Sequence, residues 1–116
     1  MFAATPKPPY LAVIFSSQRS DEDPEGYAQT AEQMVALAAQ QPGFLGVETT
    51  ARDANGFGMT VSYWRDRASI RAWRAHADHV SAQSAGRGGW YRAYRIRIAE
   101  VSEARAYEAE NRARSD

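Results

Sequence analysis

The spacing of hydrophobic and polar residues changes several times along this chain of 116 residues. Apolar residues form a short continuous run in Tyr10–Ser17, and they alternate with polar residues in Phe44–Arg52, Met59–Trp64 and Tyr91–Val101. Alternation is typical of strands with one buried face, and a short apolar run is typical of a strand buried on both faces. The pattern therefore predicts four β-strands.

Two other segments have the spacing of amphipathic helices. Asp23 followed by Pro24 predicts the start of the first helix, and Pro42-Gly43 predicts its end. Asp66 is the predicted N-cap of the second helix, and glycines at 86, 88 and 89 mark its end. The second helix carries one stripe of residues three or four positions apart: Ile70, Trp73, Ala77, Val80 and Ser84.

The predicted order is strand, helix, strand, strand, helix, strand, with Asn55-Gly56 as a hairpin turn between the middle strands. This order indicates an α+β fold of the ferredoxin-like βαββαβ type. Two helices cover only one face of a four-stranded sheet, yet these strands carry apolar residues on both sides. We therefore expect a homodimer whose sheets face each other around an interior cavity.

The length fits one domain, which we place at residues 10–102 between a flexible arm at 1–9 and a charged tail at 103–116. Fourteen basic and fourteen acidic residues give no excess charge, which argues against nucleic-acid binding. The absence of cysteine excludes thiolate catalysis and cysteine-ligated metals. The apolar run Leu11–Phe15 is too short for a signal sequence or a membrane span, so we expect a cytoplasmic protein.

Candidate chemistry is concentrated in the second helix, which holds both histidines and Trp73. Trp73 is interpreted as a core residue, as the wall of a ligand pocket, or as both. His76 and His79 lie three residues apart with only Asp78 nearby, which is a poor metal site, so no metal is expected. We take His79 ahead of His76 as a pocket base, on the interpretation that it lies closer to the stripe of Trp73 and Val80.

Large aromatic residues also lie near the centres of the predicted strands. Trp64 and Tyr94 are interpreted first as core or dimer packing residues. In a cavity, Trp64 would contribute to an aromatic wall, and the hydroxyl of Tyr94 would orient a substrate oxygen.

Several stretches together resemble the antibiotic biosynthesis monooxygenase-like family of dimeric α+β barrels. They are PGFLGVE (42–48), SYW (62–64), AW (72–73), RAHADH (74–79) and WYRAYRIRIAEV (90–101). The resemblance covers about residues 10–102. It implies a ligand cavity between sheet and helices in each subunit of a dimer. Characterised relatives include cofactor-independent quinone-forming monooxygenases and haem-degrading enzymes.

The resemblance assigns roles to particular positions. Trp73 matches a tryptophan that lines the pocket in both kinds of enzyme. The haem-degrading relatives carry their iron-binding histidine about ten residues later, where this chain has Gln83, which argues against haem degradation. The implied ligand-binding residues are Trp73, Trp64, His76 and Tyr94, with His79 as the catalytic residue.

The expected function is a monooxygenase that needs no cofactor and acts on a small phenol, hydroquinone or anthrone-like compound. The alternatives are a non-catalytic dimer that binds a small ligand or haem, and a stress-linked structural dimer.

Overall fold

The computed structural model describes residues 1–83 and 89–109, with the backbone alone described for 79–83. Its elements follow the predicted order, so the ferredoxin-like α+β fold is confirmed. They are β1 (Tyr10–Arg19), α1 (Pro24–Ala39), β2 (Phe44–Thr49), β3 (Phe57–Trp64), α2 (Arg67–Gln83) and β4 (Tyr91–Val101).

The four strands form one antiparallel sheet in the order β2-β3-β1-β4. Both helices pack on the same side, which we call the helix face, and the opposite side is the outer face. Leu11 of β1 lies on the helix face, since it belongs to the cluster that includes Ala38 of α1 and Ile70 of α2. Residues that pair across the strands share a face, so Trp64, opposite Leu11, also points towards the helices.

The core is centred on Trp64, whose side chain is fully buried. The ring centroid of Phe44 lies 5.3 Å away and that of Trp73 lies 5.7 Å away. The indole N–H of Trp64 donates to the hydroxyl of Ser62 at 2.9 Å, so the buried ring leaves no polar atom unpaired. Trp64 therefore joins β3, β2 and α2 in one hydrophobic cluster.

Both predicted helix N-caps are confirmed. The carboxylate of Asp23 accepts the backbone N–H of Gly26 at 3.1 Å, with Pro24 in the first turn. The carboxylate of Asp66 accepts both the backbone N–H and the hydroxyl of Ser69, each at 2.8 Å. These two donors hold the pKa of Asp66 below its usual value. Each carboxylate thus satisfies an amide that the first helical turn leaves free.

The turn at Asn55-Gly56 is also confirmed, although β2 ends at Thr49 rather than at the predicted Arg52. The N–H of Gly56 donates to the carbonyl of Asp53 at 2.9 Å, and Gly56 has a φ of 82°. Asn55 keeps a negative φ, because this is a longer loop than a two-residue hairpin. Arg52 therefore lies in the loop instead of on a strand.

Two register shifts change which face particular residues occupy. One lies in β2, where Phe44 pairs with Trp64 and Gly46 pairs with Tyr63. The other lies between β1 and β4, where Arg19 pairs with Tyr91. This second shift places Tyr91 on the same face as Tyr94, although simple alternation would put them on opposite faces.

The N-terminal arm contacts the outer face. The backbone N–H of Ala3 donates to one carboxylate oxygen of Glu48 at 2.9 Å, and the hydroxyl of Tyr63 donates to the other at 2.8 Å. These two donors lower the pKa of Glu48, while burial and the hydrogen bond to Glu48 raise the pKa of Tyr63 to about 12. The arm therefore covers one corner of the outer face; its predicted flexibility remains a prediction.

We expect Trp64→Ala to lower the free energy of unfolding by about 3–5 kcal/mol, because it leaves a cavity beneath Phe44, Trp73 and Ile70. Trp64→Phe keeps a ring at the same place and should cost less. Urea unfolding followed by circular dichroism measures both changes. A loss below about 1 kcal/mol for the alanine variant would show that Trp64 is not the centre of the core.

Candidate functional site

Three apolar side chains of β4 form a row on the helix face that the helices leave uncovered. We call Tyr94, Ile96 and Ile98 the apolar row. They pair with Ser17, Phe15 and Val13 of β1 in that order. Their exposed fractions are 53%, 52% and 39%. Large apolar side chains exposed on a face otherwise used for packing are typical of a binding surface.

Trp73 of α2 is half-buried and packs against the core cluster, as does Val13, the residue that pairs with Ile98 at one end of the apolar row. The ring of Trp73 packs on Trp64 at an angle of 46°. Its indole nitrogen is buried and finds no hydrogen-bond acceptor within the described part of the chain. An unpaired buried donor costs roughly 1–3 kcal/mol, so an acceptor oxygen on a ligand would stabilise this arrangement.

The structure brings Trp64 and Trp73 into contact, as the predicted aromatic wall requires. Trp64, however, is fully enclosed by protein, and its N–H is taken by Ser62. Trp64 thus supports Trp73 from behind, and Trp73 alone of the two keeps part of its surface exposed.

The two histidines differ in what the structure shows. The side chain of His76 is exposed, and that of His79 lies outside the described residues. A regular helix turns about 100° per residue, which places His76 about 60° from Trp73 around the axis and His79 about 120°. The angular reason for ranking His79 first was therefore wrong. The role of His79 as a base stays a prediction.

Tyr94 belongs to a cluster of aromatic rings that sequence reasoning did not assemble. Phe15 lies 5.5 Å from Tyr91 and 5.6 Å from Tyr94, measured between ring centroids. Tyr27 of α1 extends the cluster, with its ring 5.7 Å from Tyr91 and 6.0 Å from Trp90. These rings connect the apolar row to the end of the sheet that carries the hairpin.

Arg52 lies at that end of the sheet and connects β1, the hairpin loop and α1 by hydrogen bonds. Its guanidinium donates to the carbonyls of Ser17 and Gly56, at 3.1 and 2.9 Å. It also donates to the hydroxyls of Ser17 and Tyr27, at 3.0 and 2.9 Å. Gly58 makes this path possible, because a Cβ there would lie only 3.0 Å from Cγ of Arg52. In the sequence, the feature that indicates this position for Arg52 is Gly58, a glycine in the neighbouring strand β3.

A second guanidinium contacts the same tyrosine. Cζ of Arg19 lies 3.8 Å from the ring centroid of Tyr27, and Cζ of Arg52 lies 5.6 Å from it. Burial and the neighbouring hydroxyl of Tyr27 raise the pKa of Tyr91, so its phenol stays protonated at neutral pH. The hairpin end of the helix face is therefore rich in hydrogen-bond donors.

Within residues 1–83 and 89–109, no three histidine, aspartate or glutamate side chains lie close enough to hold a metal ion. In the same part of the chain, neither helix has the length and hydrophobicity needed to cross a membrane.

Residues 9–85 match the sequence profile of the antibiotic biosynthesis monooxygenase family. The chain belongs to this family. It is 53% identical over 104 residues to the uncharacterised protein YqjZ of Bacillus subtilis (strain 168), covering 90% of each chain. It is 29% identical over 93 residues to the jasmonate monooxygenase ABM of Pyricularia oryzae, covering 79% of this chain and 43% of that protein.

Solved structures of low sequence identity share the fold of this family member. SnoaB of Streptomyces nogalater, a cofactor-independent oxygenase solved as a point mutant, is 15% identical with a TM-score of 0.64 over 87% of this chain and 98% of that chain. A dimeric ferredoxin-like protein of unknown function from Thermobifida fusca is 14% identical with a TM-score of 0.60, over 87% and 96%. These similarities establish the architecture and leave the reaction to be inferred from the site.

We expect Arg52→Gln to lower the free energy of unfolding by about 2–3 kcal/mol, since hydrogen bonds from a charged donor contribute more than neutral ones. The loss arises because the carbonyls of Ser17 and Gly56 and the hydroxyls of Ser17 and Tyr27 lose their hydrogen bonds from the guanidinium. Arg95→Gln is the matched control. Arg95 is exposed and donates only to the carbonyl of Tyr94, so its loss should change stability by less than about 0.5 kcal/mol. Equal effects in chemical denaturation would contradict a specific role for Arg52.

Proposed function

We propose that this chain is a homodimeric monooxygenase that needs no cofactor and oxidises a small phenol, hydroquinone or anthrone-like compound. The observation that carries the proposal is the unpaired indole N–H of Trp73, on the same face of the sheet as the exposed apolar row. A flat aromatic ligand would cover the apolar row, and its oxygen would accept the hydrogen bond that Trp73 offers.

In this reaction the substrate itself supplies the electrons that reduce dioxygen. In an anthrone-like compound, removal of a proton from the ring methylene leaves an electron-rich anion that reduces dioxygen and forms a carbon–oxygen bond. Loss of water from the resulting hydroperoxide gives the carbonyl, so one methylene and one dioxygen yield one carbonyl and one water. The protein would orient the ring, exclude bulk water and accept the first proton.

The comparisons support this reaction class at two levels. The family profile and the jasmonate monooxygenase point to monooxygenase chemistry. The structural relative SnoaB is a cofactor-independent oxygenase. The side chains that bind the substrate are proposed here from the site itself: Trp73 as the hydrogen-bonding wall and Tyr94 in the opposite wall. Trp64, which is fully buried, is proposed to support Trp73 from behind.

His79 is proposed as the base that accepts the first proton. Its support is that α2 continues as a helix through this position, so an imidazole follows Trp73 on the same element. His76 lies on the same helix with an exposed side chain, which makes it the natural comparison.

The homodimer is proposed from the outer face. That face carries apolar side chains on three strands: Ile14, Phe57, Met59, Val61 and Ala99. Phe57 alone is 46% exposed. A second copy of the same face would bury these residues, and the dimeric protein from Thermobifida fusca shows that this architecture occurs as a dimer.

We expect oxygen consumption when the protein is given a panel of hydroquinones and anthrones, recorded with an oxygen electrode. Trp73→Phe keeps the ring but removes the N–H, so it should lower kcat/KM about tenfold, which is the value of one hydrogen bond of roughly 1.4 kcal/mol. His79→Ala should lower kcat by at least about a hundredfold, whereas His76→Ala, at a proposed ligand-binding position, should raise KM and leave kcat close to that of the parent protein.

Equal turnover by the His79→Ala variant would remove His79 from the mechanism and leave the pocket assignment standing. The absence of oxygen consumption with every compound of the panel would overturn the proposed reaction.

We expect analytical ultracentrifugation at micromolar concentration to show a dimer. Val61→Lys should shift the equilibrium towards the monomer, because it places a charge in the centre of the apolar outer face. Val35→Lys is the matched control, since Val35 lies on α1 with an exposed fraction of 47%. A stable monomer for the parent protein would contradict the shared interface, as would equal effects of the two lysines.

A further inference from the structure

At the hairpin end of the helix face, the described structure shows positively charged hydrogen-bond donors without negatively charged acceptors to pair with them. Arg19 and Arg52 are both half-buried. Among the described residues, Arg52 donates to carbonyl and hydroxyl oxygens, and the hydrogen bonds of the Arg19 guanidinium go to the carbonyls of Trp90 and Glu22. Throughout residues 1–83 and 89–109, the ion pair that the structure shows is the distant Arg105–Glu103. Two half-buried guanidinium groups thus face no carboxylate at ion-pair distance.

Trp90 provides an independent sign of a missing acceptor at the same place. Its indole nitrogen is buried and has no hydrogen-bond partner in the described structure. Its ring packs edge-on against Tyr27, the residue that both guanidinium groups contact. A buried donor beside unpaired positive charge favours an acceptor that is itself negative.

Arg19 and Arg52 border a cleft that is open to solvent. The cleft, of about 690 Å³, is lined by Arg19, Arg52 and Arg92, together with Asp21 and Asp53. Asp53 uses its carboxylate to accept the N–H groups of Asn55 and Phe57, so it serves the turn. The lining of the cleft therefore carries three arginines against two aspartates, one of which the turn already engages.

Tyr27 and the two guanidinium groups are also connected to the surface that carries the apolar row. Tyr91 bridges them, with ring centroids 5.7 Å from Tyr27 and 6.0 Å from Tyr94. An elongated ligand that covers the apolar row would thus direct one end towards Tyr27 and the guanidinium groups. The opposite end would lie towards Trp73.

We propose that Arg19, Arg52, Tyr27 and Trp90 form the oxyanion-binding end of the ligand pocket, and that the ligand is an aromatic anion carrying a phenolate or carboxylate oxygen. The inference rests on the proposed function for the position of the pocket. It adds the charge and the orientation of the ligand. The guanidinium groups favour the ionised form of the ligand, since charge-assisted hydrogen bonds are the strong ones at a half-buried site.

The test uses para-nitrophenol, whose neutral and ionised forms absorb at different wavelengths and interconvert near neutral pH. The probe is titrated into the intact protein at several pH values, and bound probe is followed by its absorbance and by tryptophan fluorescence. We expect the parent protein to bind the phenolate at least about tenfold more tightly than the phenol, which lowers the pKa of the bound probe by about one unit or more. The neutral para-nitroanisole, which has the same ring, should bind independently of pH.

Four variants locate the effect. Tyr27→Phe removes the hydroxyl and Trp90→Phe removes the indole N–H, each keeping a ring, and Arg19→Gln removes one charge. Each should reduce the preference for the phenolate over para-nitroanisole by about three- to tenfold. Arg95→Gln, on the outer face, should leave both probes unaffected. These variants are used in place of Arg52→Gln, because Arg52 also holds the hairpin.

The outcomes separate this inference from the proposed reaction. Equal binding of both probes at every pH would overturn the oxyanion end and leave the aromatic pocket in place. A phenolate preference that survives all three cluster variants would also overturn it. A phenolate preference lost in those variants, in a protein that consumes no oxygen with any substrate tested, would support the oxyanion end and contradict the monooxygenase.

Discussion

Two helices cannot cover both faces of a four-stranded sheet, and the rest of this structure follows from that mismatch. The helices pack around Trp64 over the β2–β3–β1 part of the helix face. They leave the apolar row of β4 exposed on the same face. The outer face receives the short N-terminal arm at one corner. The uncovered parts are the places where a ligand and a second subunit are proposed.

The site has opposite chemistry at its two ends. One end is formed by Trp73, which is aromatic and supplies a single unpaired donor. The other end is formed by Tyr27 and the two guanidinium groups that contact it. A surface that is apolar along its length and positive at one end selects the orientation of a ligand as well as its size. Such orientation would present one defined carbon of the ring to dioxygen.

Alternation predicted the faces of β1 and β3 well, because each strand residue points to the side opposite its neighbour. Met59, Val61 and Tyr63 lie on the outer face as the pattern requires, with Ser62 and Trp64 on the other. The same rule failed where one extra residue shifts the register. Tyr91 therefore joins Tyr94 on the helix face, and the aromatic cluster at this end could not be assembled from parity alone.

The candidate site was predicted only in part, because periodicity gives the direction of a side chain in a helix or strand but not in a loop. Trp73 was found because it belongs to a helical stripe whose members Ile70 and Ala77 are buried. Arg52 was missed because it lies in a loop, where no periodicity reports the direction of a side chain. Its position depends on a contact between the loop, β1 and α1, which only the folded chain brings together.

The contact between the N-terminal arm and the outer face has a practical consequence for protein production. Ala3 donates its backbone N–H to Glu48, and its methyl group lies so close to Gly46 that a side chain there would collide with it. An affinity tag fused ahead of Met1 would be carried onto the surface proposed for subunit association. Tags at opposite ends of the chain would then give different oligomer populations, so a cleavable tag is the sounder choice for purification.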